Sequence, residues 1–465
     1  MAILESDQVC FDEALSRRYD GRGPRYTSYP TALQFGPELD ADAYSKNALA
    51  SNASELPLSI YVHIPFCQTL CYYCGCNKIV TRNQERIGRY LNDLHAEIEM
   101  QSELFSTDRK VEQLHFGGGT PTYLSEDQLS ALMEKLRSAF NFDESGSHEF
   151  SIEVDPRSVT DASLHRLTEL GFNRLSLGIQ DFDPSVQEAV NRMQSVGDVQ
   201  SLVDTSRSGG FRSLSFDLIY GLPHQSVDSF DKTLEVVIDM RPDRLAVYNY
   251  AHLPERFKGQ RMIDEADLPS AQMKLDILHH TIDRLGAAGY VYIGMDHFAL
   301  PDDDLVKARH NHTLQRNFQG YSTHRQCDLV GLGVSSISSI GNVYAQNAVS
   351  TIEYQDIIES GQLPVVRGIE VDADDMLRAA AIQSLMCYDE LSYDAFNTDH
   401  DIDFKTYFGD EIDRLRPLVE DDLVRFDDAG IHVSPKGRLL LRSVAMVFDR
   451  YIDADLQGQR YSKAI

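Results

Sequence analysis

Six short apolar runs, each followed by a segment with helical periodicity, constrain this chain more than any other feature. They are LSIYVHI from Leu58, EQLHF from Glu112, EFSIEVD from Glu149, RLSLGIQ from Arg174, LSFDLIYG from Leu214 and RLAVYNY from Arg244. Between them lie RIGRYLNDLHAEIEMQSEL, EDQLSALMEKLRSAF, DASLHRLTELG and SFDKTLEVVIDM. Such alternation is the pattern of repeated βαβ units and a parallel sheet. Six units in succession predict an α/β fold, a partial (β/α)6 barrel over residues 41–365. In parallel βα folds the chemistry gathers at the carboxyl ends of the strands. The glycines of HFGGGT, with Glu153, Gln180 and Asp217, fall there.

Beyond residue 366 the pattern turns helical, in DADDMLRAAAIQSLMCYDELSYDAF and EIDRLRPLVEDDLVRF, with IHVSPKGR as a short hairpin. A small, mainly helical domain over 366–465 is expected to pack on the barrel and close one side of the site. Helices ahead of a hairpin resemble a winged-helix outline, but residues 370–465 hold 21 acidic and 11 basic residues, the wrong sign for phosphate contacts. The whole chain is also acidic, with 72 Asp and Glu against 43 Lys and Arg, so no nucleic-acid partner is expected. No apolar run reaches the roughly 18 residues of a membrane span, and no secretory signal is legible. A cytoplasmic protein without membrane contact follows, and a monomer is expected.

A reducing compartment makes metal binding or catalysis the main use of clustered thiols. Four of the seven cysteines fall within HIPFCQTLCYYCGC, just after the first strand. Cys67, Cys71 and Cys74 have the spacing C-x3-C-x2-C. Iron–sulfur cubanes are normally held by four thiolates, so three leave one iron open for chemistry. A structural zinc site using all four thiols is the competing reading, although zinc ligands usually come in pairs from two loops. Cys10, Cys327 and Cys387 stand alone and read as small buried hydrophobes.

CQTLCYYC, with Tyr73 before the third cysteine and GGGT at the end of the next strand, resembles the radical S-adenosylmethionine superfamily. The longer motifs PRYTSYPTALQF, YVHIPFCQTLCYYCGCNK, LHFGGGTPTYL, SIEVDPR, GIQDF, FDLIYGLPHQ and VYNYAHLPERF resemble the oxygen-independent coproporphyrinogen III oxidases within it. The resemblance implies a 4Fe-4S cluster on Cys67, Cys71 and Cys74, with S-adenosylmethionine chelating the open iron. It implies reductive cleavage to a 5'-deoxyadenosyl radical, and hydrogen removal from the β-carbon of a propionate of coproporphyrinogen III. Loss of carbon dioxide and one electron then leaves a vinyl group, and two such reactions give protoporphyrinogen IX in haem biosynthesis. An electron donor and an electron acceptor, neither identified by the sequence, complete the partners.

By matching motif, Gly118, Gly119 and Thr120 are expected to bind the methionine end of the cofactor. Tyr61 and Tyr73 touch it, and Glu153, Gln180, Arg192 and Asp217 make further contacts. Ala251 and Ile337 match positions used around a second S-adenosylmethionine. Carboxylates suit ribose hydroxyls or the α-amino group, and the planar fork of Arg192 suits a carboxylate. If Cys76 bound the cluster the open iron would vanish, so Cys76 is expected to be a catalytic, non-ligating thiol. Residues 1–40 are read as an arm closing over the site, with Arg22 and Arg25 binding substrate carboxylates. A haem-binding chaperone of the same superfamily is the alternative, but such relatives carry an aromatic residue where Cys76 stands and lack the PRYTSYP arm.

Overall fold

In the computed structural model, which describes residues 9–19, 21, 23–143, 145–324 and 327–457, the six expected strands are the centre of one sheet. They are β1 (Leu58–Ile64), β2 (Lys110–Gly118), β3 (Glu149–Val154), β4 (Arg174–Gln180), β5 (Ser213–Tyr220) and β6 (Arg244–Asn249), each parallel to the next. The sheet continues past β6 through β7 (Val291–Gly294) and β8 (His297–Ala299). On the other side come β9 (Asp328–Leu332), β10 (Ile337–Ile340), β11 (Val343–Asn347) and β12 (Val365–Glu370). The order is β7-β8-β6-β5-β4-β3-β2-β1-β9-β10-β11-β12. Strand β9 is parallel to β1, whereas β10 to β12 and the β8 edge run antiparallel. Strand β12 carries the sheet across the expected 365/366 boundary.

Local sequence explains the crossovers. The helix Glu126–Ala139 starts at a capping box in which Ser125 and Gln128 satisfy each other's backbone N–H groups. Thr160 with Ser163 and Ser226 with Ser229 do the same for Asp161–Glu169 and Val227–Met240. Along β3, β4 and β5 buried positions alternate with partly exposed ones. Leu114, Phe116, Ile152, Leu177 and Phe216 are fully buried outside the barrel. Tyr61, His115, Ser151, Glu153, Ser176 and Asp217 alternate with the buried positions and are partly exposed, which lines the interior with polar groups. Thr323 and Ser322 bond to Glu149 (3.1 Å) and Gln113 (3.1 Å), and Arg174 pairs with Glu149 at 3.0 Å, so the amino end of the barrel is plugged. Chemistry is left the carboxyl end.

The C-terminal region has its own core around Leu385, Phe404, Phe408, Ile431 and Phe448, which also takes in Tyr26 and Tyr29 of the arm and Val291 and Ile293 of β7. IHVSPKGR is not a hairpin. The hairpin lies earlier, between Val424–Phe426 and Gly430–Val433, because Asp427 accepts from the Ala429 and Gly430 N–H groups and turns the chain there. Gly437–Leu440 is a helical turn instead. The described part of the arm is anchored at several points: Cys10 N–H donates to the Pro435 carbonyl (2.9 Å), Arg18 pairs with Asp421 (2.6 Å), the Tyr26 hydroxyl donates to Asp449 (3.0 Å), and Gly36 bridges to Gly368 of β12. Among the described residues no helix is long and apolar enough to cross a membrane.

Candidate active site

The cysteine loop leaves β1 at the open end and returns through Ile79–Val80, which pairs in parallel with Phe66–Cys67. The HFGGGT turn of β2 holds this loop by its backbone. Gly119 N–H donates to the Ile64 carbonyl and Thr120 N–H to the Phe66 carbonyl, both at 2.8 Å. Gly118 has φ of 110°, a region glycine adopts without strain, and its N–H donates to Glu153 at 3.0 Å. A Cβ on Gly119 would stand 2.7 Å from the Pro65 carbonyl and 2.8 Å from the Phe66 oxygen, both unyielding backbone. Gly119→Ala should therefore displace the loop, lowering stability by about 1–3 kcal/mol. Iron retained per chain after reconstitution should fall with it. Full iron content and an unchanged melting temperature would show that the contact is not needed.

Each expected ligand has a donor or cation beside it. Thr120 Oγ1 donates to Cys67 Sγ at 3.5 Å. Arg157 and Arg192 each donate to Cys71 Sγ at 3.4 Å. Lys78 donates to the Cys74 carbonyl at 2.8 Å and its charge favours the Cys74 thiolate. Burial, aided by Cys74 and Cys71 nearby, pushes the Cys67 thiol up to about 11. A hydrogen bond from Cys76 holds Cys74 down at about 6, and the same bond, with burial, pushes Cys76 well above the usual thiol range. Cys76 is exposed, whereas Cys67 and Cys71 are buried. Among the described residues no three His, Cys, Asp or Glu side chains converge tightly enough to hold a single metal ion. Three spaced thiols, each served by a donor or a cation, fit the corners of a larger iron–sulfur body.

The remaining expected residues line the barrel beside this loop. Tyr61 stacks on His115 (centroids 5.8 Å apart, planes 15°) and its hydroxyl meets His63 Nδ1 at 3.1 Å. His115 Nε2 reaches Glu153 at 3.4 Å. Burial opposes the charge on Glu153, but His115 and the Gly118 N–H outweigh it and lower its pKa. Gln180 ends β4 with φ of 67°, buried behind the site. Arg192 is buried, and its fork is already committed to Asp155 (3.1 Å), the Gly178 carbonyl and Cys71. It ties the loop to β3 and β4 and does not offer a free fork to a carboxylate. The backbone of Ile337 on β10 packs against Gly331, whose partner on β1 is Tyr61. Ala251 sits at the other flank, joined to Tyr73 through Gln260, whose amide donates to both carbonyls (3.2 and 2.9 Å). Arg25 pairs with Asp296, and Arg22 lies outside the described residues.

Sequence reasoning passed over Asp155, Arg157, His115 and Gln260. SIEVDPR carried the signal for the first two, since an acid and a base two residues apart just past a strand end can pair at its mouth. Gln260 had no signal, because its role needs two loops to meet.

Asp217, on β5, accepts from Ser176 at 3.2 Å, and burial together with the charge of Glu153 raises it to about 7. The unfolded chain ionises this group near pH 3.9. Between those values the folded state alone keeps the proton, so stability falls as pH rises through the interval. Asp217→Asn should raise the melting temperature of the apoprotein most at pH 8, with the gain shrinking toward pH 4. An equal gain at both ends would contradict this reading of the carboxyl.

Residues 61–237 match the radical SAM superfamily model, and residues 371–440 match the HemN C-terminal domain. The oxygen-independent coproporphyrinogen III oxidase of Pseudomonas aeruginosa is 50% identical over 463 residues, 99% of this chain and 100% of that one. That of Escherichia coli is 48% identical over 462 residues, again 99% of this chain and 100% of its own. The solved structure of coproporphyrinogen III oxidase (HemN) from Escherichia coli, described as a radical SAM enzyme, superposes with a TM-score of 0.90 at 49% identity, covering 96% of this chain and 100% of that one. With a thiol loop at the carboxyl mouth of the barrel and this likeness from end to end, the chain belongs to the oxygen-independent coproporphyrinogen III oxidases of the radical S-adenosylmethionine superfamily.

Proposed function

We infer that this protein removes carbon dioxide oxidatively and without oxygen from two propionates of coproporphyrinogen III, giving the vinyl groups of protoporphyrinogen IX. The observation that carries the reading is the C-x3-C-x2-C loop, held by GGGT at the mouth of a polar-lined barrel in a chain half identical to such an oxidase along its whole length. Cys67, Cys71 and Cys74 would hold the 4Fe-4S cluster. When bound, the cluster supplies the electron that splits the sulfonium of S-adenosylmethionine.

The protein's own groups prepare the rest. Glu153, ionised and fixed by Gly118 and His115, offers a carboxylate to an ammonium or to ribose hydroxyls. Tyr61 and Tyr73 bring aromatic faces to the same space. Arg192 and Arg157 keep positive charge at Cys71 and orient the loop. Cys76, exposed beside the ligand thiol, is placed to act on substrate as a non-ligand. Ala251 and Ile337, on opposite flanks, support a second S-adenosylmethionine position. A hydrogen leaves the propionate β-carbon, and carbon dioxide and an electron follow.

Anaerobic incubation of reconstituted protein with S-adenosylmethionine, a reductant and coproporphyrinogen III should yield protoporphyrinogen IX together with 5'-deoxyadenosine. Cofactor cleavage with no vinyl product, or tight haem binding in its place, would favour the chaperone reading.

A further inference from the structure

Four other stretches of chain border the thiol loop. From the HFGGGT turn Thr120 reaches Cys67, and the Tyr123 hydroxyl donates to the Thr81 carbonyl at 2.9 Å. Arg157, just past β3, reaches Cys71. Residues 189–197 hold one flank: the Tyr72 N–H donates to the Val190 carbonyl (3.0 Å) and the Asn191 amide to the Leu70 carbonyl (2.8 Å). Residues 251–263 hold the other. There Gln260 donates to the Tyr73 carbonyl at 2.9 Å, and the Phe257 ring sits so close to Gly75 that a Cβ on the glycine would stand 3.1 Å from it. Within the loop Gln68, Thr69, Gly75 and Cys76 are exposed, while Cys67 and Cys71 beside them are buried. The ligand thiols therefore lie a single layer of chain below the surface.

Charge on this face is the reverse of the rest of the molecule. Residues 64–84 hold two Lys and Arg, 156–160 one, 189–197 one and 251–263 three, whereas the one acid in these stretches and in 118–125 is Glu255. Over the whole chain 72 acids outnumber 43 bases. Asp155, just before Arg157, is committed to Arg157 (2.7 Å) and Arg192 (3.1 Å). Arg82, Arg256, Lys258 and Arg261 are exposed. Of these four, Arg261 alone has a carboxylate at ion-pair distance among the described residues, Glu255 at 4.0 Å. Large apolar side chains share the two flanks: Met193, Leu253 and Met262 are 55%, 40% and 62% exposed. Exposed methionine and leucine set among arginines have the make-up of a protein-binding patch.

We propose that this face is the docking surface of an acidic one-electron carrier protein. The inference rests on the proposed function, which needs an electron from outside, and adds where it enters and what brings it. The carrier is oxidised by one electron and the cluster on Cys67, Cys71 and Cys74 is reduced by one, with no bond or proton moved in the transfer. Charge complementarity selects the occupant. A chain with net charge −29 repels an acidic protein over most of its surface, so a local excess of cations steers the carrier to the thiol loop and away from other approaches. Exposed charges bind such a partner loosely, which suits a carrier that must leave after each electron.

The test is anaerobic calorimetric titration of the reconstituted holoenzyme with a reduced flavodoxin, an acidic flavin protein, together with turnover driven either by that protein or by dithionite. The triple variant Arg82→Glu, Arg256→Glu, Lys258→Glu should bind the flavodoxin at least about tenfold more weakly at low ionic strength, the low end of what steering by charge contributes. Added salt should weaken the wild-type complex and leave the variant's nearly unchanged. Flavodoxin-driven turnover should fall with binding, while dithionite-driven turnover stays at the wild-type level. Lys46→Glu, an exposed cation on the helix Ala41–Ser51, should behave as wild type. Equal binding by wild type and triple variant, no binding by a wild type that turns over with dithionite, or an equal loss in Lys46→Glu would overturn the docking surface. So would an equal loss of turnover with dithionite, which would give these cations to the substrate. A wild type that binds the flavodoxin through this face yet forms no vinyl product with either reductant sinks the proposed function and leaves the surface standing.

Discussion

Cys76→Ser should leave iron content unchanged while lowering turnover about a hundredfold, at the lower end of what a positioned proton-transferring group contributes. Cys67→Ser, Cys71→Ser and Cys74→Ser should each lose both iron and activity. The contrast follows from how the four thiols are served. Cys67 and Cys71 receive hydrogen bonds at sulfur, from Thr120 and from the two arginines. Cys74 is held as a thiolate by its neighbour and by Lys78. Among the described residues no arginine or threonine donates to Cys76, which is exposed. Iron and acid-labile sulfide, measured per chain with 5'-deoxyadenosine production, check the prediction. Iron lost from Cys76→Ser to the level of Cys67→Ser would make it a ligand and close the open iron.

Arg192→Met should destabilise the apoprotein by about 3–5 kcal/mol, the cost of breaking a buried ion pair from one side. Three contacts go at once: Asp155 loses one of its two arginines, the Gly178 carbonyl loses its donor, and Cys71 loses one of its two cations. Arg192→Lys should recover little, because a single ammonium cannot reproduce a planar fork spread over three acceptors. Denaturant unfolding of the apoprotein and the binding of S-adenosylmethionine to the reconstituted form separate the two consequences. Normal stability with weakened cofactor binding would return Arg192 to direct contact with the cofactor carboxylate.

Much of this molecule was legible because parallel strands buried on one face and lining a site on the other leave a repeating trace. β1 and β4 run over the same residues as the apolar runs from Leu58 and Arg174. The loop thiols and GGGT were legible because ligand spacing and backbone approach are local properties. What escaped depends on contacts distant in sequence. The outer strands β9 to β12 are short, and β9 joins them to β1 across more than 200 residues, so no periodic pattern announces that pairing. Val424–Val433 was misplaced by a few residues because the turn-forming Asp427 is one acidic residue among many. Arg192 was singled out by motif and expected to meet the cofactor, whereas its occupation by Asp155, Gly178 and Cys71 appears only when three loops meet.

The most direct measurement of the central claim uses coproporphyrinogen III deuterated at the propionate β-carbons, incubated anaerobically with the reconstituted enzyme, reductant and S-adenosylmethionine. The account predicts deuterium in the 5'-deoxyadenosine recovered alongside protoporphyrinogen IX. Vinyl products accompanied only by unlabelled 5'-deoxyadenosine would contradict hydrogen removal from that carbon by the cofactor-derived radical.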